Sequence, residues 1–214
     1  MIDLIYVVLG LVGLGLLFLL GWRYGTRLAR LPCPAWLAWT VERDNPFTSA
    51  TRSDAIVKAS GLRPGMRVLD VGCGPGRVAV PAARAVAPGG EVLALDLQPA
   101  MLRRAQAKAA ASHVSNIRFL QAGAGEGKLE SDAFDRALLV TVLGEIPDRQ
   151  AALAEIFRAL KPGGSLTVAE VAFDPHYQRR APVGKLAASV GFREREYSGA
   201  WYSYSLVLEK PPGT

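Results

Sequence analysis

Asp70, Gly72, Gly74 and Gly76 alternate along Val68-Leu69-Asp70-Val71-Gly72-Cys73-Gly74-Pro75-Gly76, an apolar run that ends in an acid and then in glycines. Such a run reads as a buried strand opening into a tight loop, where missing side chains let a ligand reach backbone N–H groups. Twenty residues beyond Gly76 a second apolar run, Glu91 to Asp96, also ends in an acid. An acid at the tip of the neighbouring strand is placed to take the two hydroxyls of a ribose. Taken singly, these residues also fit a plain strand-to-helix turn and a helix cap. Together they indicate a nucleoside cofactor. A dinucleotide fingerprint would place a third glycine where Arg77 stands, and no Gly-Lys-Ser/Thr follows the loop, so NAD is disfavoured and a Walker-type triphosphate cradle is excluded.

The acid, one intervening residue and then alternating glycines resemble the first motif of the class I S-adenosylmethionine-dependent methyltransferases. The resemblance runs from about Ser49 to Lys210, and Lys161-Pro162-Gly163-Gly164, between a helix and a strand, is a further point of it. It implies an α/β fold: a Rossmann-like, mostly parallel seven-stranded sheet with an antiparallel edge hairpin. It also implies S-adenosyl-L-methionine as cofactor. On that resemblance Asp70, Gly72, Cys73, Gly74 and Gly76 line the methionine end, Asp96 holds the ribose with Leu97 beside it, and Thr141 borders the cleft. Relatives carry an acid for the adenine amino group where this chain has Gly123. Adenine recognition then falls to backbone groups near Ala124, or to Glu126 if the loop bends back.

Methyl transfer from a sulfonium needs an aligned nucleophile and exclusion of water more than covalent catalysis. No catalytic triad is expected. Glu145, His176 and Tyr177 are the candidates on the acceptor side: Glu145 or His176 to take a proton or steady a charge, Tyr177 to offer its ring and hydroxyl. Each has a structural alternative, Glu145 as a cap of loop amides and His176 and Tyr177 as packing over the cleft.

These residues need a scaffold that brings strand ends together. Strands are expected at Val68–Val71, Glu91–Asp96, Asn116–Gln121, Asp135–Val142 and Ser165–Ala172, alternating with helices from Ser53, Arg77, Pro99 and Asp148. A further helix ends at Gly191, and two last strands, Phe192–Tyr197 and Trp201–Glu209, are joined by Ser198-Gly199-Ala200. So short a link requires antiparallel pairing.

Before the domain lie seventeen uncharged residues, Leu4 to Leu20. At ~1.5 Å per residue they approach the ~30 Å of a bilayer core. A cleavable signal peptide is the competing reading, but Asp3 precedes the run instead of a basic region, and Gly21-Trp22-Arg23-Tyr24 follows it. The expected organisation is a transmembrane anchor at 1–24, a juxtamembrane linker with interfacial tryptophans at 25–48, and a methyltransferase domain at 49–214. Arg23, Arg27 and Arg30 follow the run, which places the domain in the cytoplasm by the positive-inside rule. Trp36 and Trp39 are read either as headgroup-level anchors or as packing on the domain. Phe47 is read as a wall for the acceptor or as a buried aromatic of the linker.

The chain has 214 residues and a net charge of +6, with basic residues spread along it and no aromatic-basic RNA motif. A membrane surface explains the charge better than nucleic acid. Cys33 and Cys73 lack metal-type or redox-type spacing, so neither a metal site nor a disulfide is expected; Cys33 is a reduced thiol or an acylation site. The expected partners are the lipid bilayer and a hydrophobic or lipid acceptor, either a phospholipid amine headgroup or a prenylated quinone-type ring. A soluble thiol or amine acceptor with a purely localising anchor, and a non-catalytic cofactor-binding scaffold, are the alternatives.

Overall fold

The computed structural model describes residues 2–29, 33–34, 38–45 and 48–213, with side chains for only part of the first two helices. Seven strands form one sheet in the order β3-β2-β1-β4-β5-β7-β6. They are β1 (Arg67–Val71), β2 (Glu91–Asp96), β3 (Ile117–Gln121), β4 (Phe134–Val140), β5 (Leu160–Val171), β6 (Arg193–Ala200) and β7 (Ser203–Glu209). Strands β1 to β5 pair in parallel, and β7 runs antiparallel to both β5 and β6. The expected sheet is therefore present, with β7 as its reversed strand.

The helices are α1 (Ile2–Ala29), α2 (Ala38–Val41), α3 (Ser53–Ala59), α4 (Ala79–Val86), α5 (Pro99–Ala111), α6 (Arg149–Ala159) and α7 (Arg180–Ser189). The central strands β1, β2 and β4 are largely apolar and buried because helices cover both faces of the sheet there, whereas the edge strand β6 is polar and mostly exposed. Val68, Val92, Ala94 and Leu138 pack with Ile56 of α3, Ala82 of α4 and Leu102 of α5. Leu69, Leu95, Leu139 and Val168 face the other way, against Leu153 and Ile156 of α6 and Val183 of α7. Burial of each such leucine contributes roughly 2 kcal/mol. Asp148 caps α6 as expected, accepting the Ala151 amide at 2.9 Å.

Two boundaries differ from the sequence reading. The hairpin link is Trp201-Tyr202, not Ser198-Gly199-Ala200, because the β6–β7 ladder continues through Ser198↔Ser205 to Ala200↔Ser203 and satisfies those backbone groups. The helix expected from Arg77 begins at Ala79, since the glycine loop extends further before the chain becomes helical.

At the N-terminus, α1 is a single 28-residue helix. Among the described residues no helix is long and apolar enough to cross a membrane, so the spanning helix expected at 1–24 is not established by the structure. What is visible is an apolar surface without a cover: Ile5, Tyr6, Val7, Leu9, Leu11, Leu14, Leu17 and Leu20 are all exposed. Trp39 is exposed too, which removes packing on the domain as its role. Trp36, Phe47 and Arg30, and the side chains of Trp22, Arg23 and Arg27, lie outside what the structure describes.

Candidate functional site

The parallel register brings the C-terminal ends of β1, β2, β4 and β5 to one edge of the sheet, where ligands of open α/β sheets bind. The two nucleoside signals meet there. The Gly74 amide donates to Asp96 Oδ2 at 2.9 Å, and Asp96 Oδ1 accepts the Gln98 amide at 2.8 Å. The Gly72 and Cys73 amides both donate to the Leu95 carbonyl, at 2.7 and 2.9 Å. The glycine loop is thus tied to the tip of β2 by its own backbone.

Two of the glycines answer different demands. Gly72 has φ +69°, and a Cβ there would lie 2.6 Å from both methyl groups of Val142, so it is required by packing. Gly74 also has positive φ, +52°, but a Cβ there would meet nothing within 4 Å. Its open side leaves room for a ligand beside Asp96. Cys73 is buried, and burial raises its thiol pKa, so it packs in the loop as a small apolar residue.

Asp70 lies beneath this loop, 2% exposed, and its Oδ2 has no partner among the described residues. Burial pushes its carboxyl up to about 7, with Arg77 pulling it down and Asp96 adding repulsion. Burial also raises Asp96, against the two amide hydrogen bonds that it accepts. An orphaned buried oxygen, an open glycine and an acid with lone pairs to spare suit a ligand with a cationic centre and a diol. Those are features of S-adenosylmethionine, so the donor set fits the implied cofactor. Leu97, 55% exposed, lies at the same edge.

Beyond β3, Gly123 and Ala124 are half-buried. A Cβ on Gly123 would stand 2.6 Å from Oε1 of Glu126, so the loop does bend back and brings a carboxylate over the glycine. At the end of β4, Thr141 holds φ +56°, a strained value for a β-branched residue, while its hydroxyl donates to the Val140 carbonyl at 2.7 Å.

The acceptor-side candidates cluster. His176 Nδ1 lies 3.8 Å from Glu145 Oε1 and 3.8 Å from Asp174 Oδ1. Burial first, then the charges of Asp174 and Asp96, pushes Glu145 up to about 8, while the Cys33 amide donates to its carboxylate and opposes the shift. Arg149 binds the loops after β4 and β5 together, donating to the Leu143 and Gly144 carbonyls and to Gln178 Oε1, each at 3.1 Å. Tyr177 departs from its expected role: its hydroxyl donates to the Trp201 carbonyl, leaving only the ring for a ligand. Deeper still, Glu170 accepts the Gln178 amide at 3.1 Å on Oε2, its Oε1 has no partner among the described residues, and burial raises its pKa well above the usual range.

Several residues that hold this edge together escape sequence reasoning. Gln98 Nε2 donates to the Cys33 carbonyl at 2.9 Å, and Arg77 donates to Asp44 Oδ1 at 2.8 Å and to the Thr51 carbonyl at 2.7 Å. Asp44 in turn accepts the Ser53 amide and hydroxyl. The segment before the domain is therefore strapped over the cofactor edge. Arg77, which displaces a dinucleotide glycine in the sequence, was the available signal for this strap. Cys33 is half-buried and in no disulfide, and burial with the charges of Glu145, Asp174 and Asp96 pushes its thiol up to about 11, which disfavours the thiolate.

Comparisons agree with this geometry. Residues 68–164 match the family model of a methyltransferase domain. An uncharacterised protein of Mycobacterium tuberculosis is 37% identical over 113 residues, 53% of this chain and 40% of that protein. The ubiquinone/menaquinone biosynthesis C-methyltransferase of Vibrio vulnificus is 38% identical over 123 residues, 56% of this chain and 47% of that enzyme. The chain thus spans less than half the length of these relatives. The crystal structure of a SAM-dependent methyltransferase from Aquifex aeolicus superimposes with a TM-score of 0.75 at 20% identity, covering 84% of this chain and 100% of that one. The chain shares the fold of that methyltransferase, and its residues 68–164 match a methyltransferase domain.

Proposed function

We propose that the chain is an S-adenosylmethionine-dependent methyltransferase acting on a hydrophobic or lipid acceptor, held at a membrane through α1 with its domain in the cytoplasm. The observation that carries the activity is the joining of the two nucleoside signals, the Gly74 amide on the Asp96 carboxylate, beside an open glycine flank. Bound there, the cofactor supplies an electrophilic methyl carbon. Asp96 keeps lone pairs for the ribose hydroxyls while its other contacts fix the glycine loop, so cofactor and loop geometry depend on one side chain. The free oxygen of Asp70 suits the cationic end of the ligand.

On the acceptor side Glu145 holds its proton until about pH 8, so at neutral pH it donates a hydrogen bond and above that it accepts the acceptor's proton. His176, flanked by Glu145 and Asp174, sets the neighbouring wall. The strap of residues 38–45, tied through Arg77, limits water at the cofactor edge.

Membrane attachment is supported by the sequence run Leu4–Leu20 and by apolar side chains exposed on every side of α1. A helix apolar all round has no face to turn to water and is covered by protein or lipid. An anchored cleft meets membrane-dissolved acceptors at raised local concentration. The proposed partners are accordingly the bilayer and a lipid-like acceptor, without nucleic acid. Detergent-purified protein incubated with methyl-labelled cofactor and total membrane lipid is expected to place label in the organic phase; label confined to water-soluble products would overturn the acceptor class. Flotation with liposomes tests the attachment by itself.

A further inference from the structure

We propose that the cavity beside Gly144 and His176 is an acceptor site selecting a flat apolar ring that bears an acidic oxygen, and that it rejects ammonium-bearing acceptors. The proposal rests on the methyltransferase reading and narrows it. The cavity measures about 900 Å³ and opens between the loops after β4 and β5 and the β6–β7 hairpin. That volume is at the upper end of the ~300–1,000 Å³ of small-molecule sites, room for a ring with an attached hydrocarbon.

Tyr177, Tyr197, Trp201 and Tyr204 form its walls. The Tyr177 hydroxyl donates to the Trp201 carbonyl, so Tyr177 presents its ring instead of a polar tip, and Tyr204, its hydroxyl on the Gln178 carbonyl at 2.8 Å, is fully buried and backs that wall. The rings of Tyr177 and Tyr204 meet edge to face with centroids 6.3 Å apart, and Tyr197 lies 6.0 Å from Tyr204. Trp201 is 77% exposed, so its indole keeps surface for a further ring.

Charge decides the rest. Arg149, Arg179 and Arg180 line the cavity, and none of its lining residues is a carboxylate. Arg149 is engaged by carbonyls and Gln178, and Arg180 pairs with Glu194 and lies 4.3 Å over the Tyr197 ring. Arg179 is exposed and belongs to none of the ion pairs among the described residues. Glu170 accepts the Gln178 amide and is not among the lining residues; burial raises its carboxyl well above the usual range. Along the lining itself an ammonium group would meet three arginines and no carboxylate; the neighbouring acids are already engaged, Glu194 by Arg180 and Glu145 and Asp174 each 3.8 Å from His176 Nδ1. A phenolate or carboxylate on a ring pairs with Arg179 while the ring stacks on the aromatic wall.

Equilibrium dialysis of the full chain in detergent, corrected for detergent alone, tests this with 2-naphthoate, 2-naphthylmethylammonium, decanoate and phosphoethanolamine as probes. We expect naphthoate to bind at least tenfold more tightly than each of the others, and R179Q to remove most of that preference with the native circular dichroism retained. Ammonium binding equal to or tighter than naphthoate overturns the charge assignment. Decanoate matching naphthoate overturns the ring requirement, and phosphoethanolamine matching it returns the site to an amine headgroup. An unchanged preference in both R179Q and W201A places the probe elsewhere and overturns the site. S-adenosylhomocysteine dialysed in parallel reports the cofactor site, so loss of the methyltransferase reading is seen separately.

Discussion

Glu126 stands over Gly123: its Oε1 occupies space 2.6 Å from where a side chain at that glycine would begin. The chain thereby offers a carboxylate from three residues further on. If it serves the adenine amino group, E126Q weakens S-adenosylhomocysteine about tenfold, the ~1.5 kcal/mol of a charge-assisted hydrogen bond. In the double variant G123D/E126Q affinity returns. Titration calorimetry decides it, and wild-type affinity in E126Q would remove Glu126 from the site.

Gly72 and Gly74 separate folding from binding. G72A forces a methyl into Val142 at positive φ and is expected to cost about 2–4 kcal/mol of stability. G74A meets no protein atom, so only the ~1–2 kcal/mol of backbone strain is lost while cofactor affinity falls at least a hundredfold. Thermal melts beside binding isotherms distinguish the two, and equal affinity in G74A and wild type would contradict a ligand at that flank.

Asp70 and Glu145 make stability depend on pH. Their folded carboxyls titrate at about 7 and about 8, above the ordinary 3.8 and 4.5, so the folded state binds more protons between those limits. Stability is therefore fully present below about pH 4 as far as these groups are concerned and is lost as pH rises through 8. Melting temperature of the ligand-free protein is expected to fall from pH 6 to pH 8.5, and D70N and E145Q to flatten that slope. If Glu145 takes the acceptor's proton, kcat/KM rises through about pH 8 and E145Q abolishes the rise.

The Arg77–Asp44 pair is two-thirds or more shielded on both partners and joins the strap to the domain. R77A is expected to expose residues 38–45 to limited proteolysis at least fivefold faster, with native secondary structure by circular dichroism. Unchanged cleavage would show that the other ties, Ser53 on Asp44 and Lys108 on the Glu42 carbonyl, hold the strap without Arg77.

The glycine loop, both strand-end acids and the parallel order were legible because each follows from local pattern: an apolar run, an acid, missing side chains. The reversed β7 was legible from the short link before it. The hairpin turn was misplaced because Ser198 and Gly199 carry turn composition, yet the ladder extends through them. The ties of Arg77 to Asp44, Gln98 to Cys33 and Tyr177 to Trp201 join residues 24 or more positions apart. No spacing rule reports such contacts. Tyr177 was singled out for its ring and its hydroxyl, and only the folded chain reveals that the hydroxyl donates to a carbonyl.

Cys33 is gripped by Gln98 at the β2 tip and by Glu145 past β4, while α1 ends at Ala29. Four Cα steps of ~3.8 Å separate the two, a leash of about 15 Å at full stretch. The helix end therefore stays within that reach of the edge that carries Asp96 and Glu145. Burial of the one thereby steers the other.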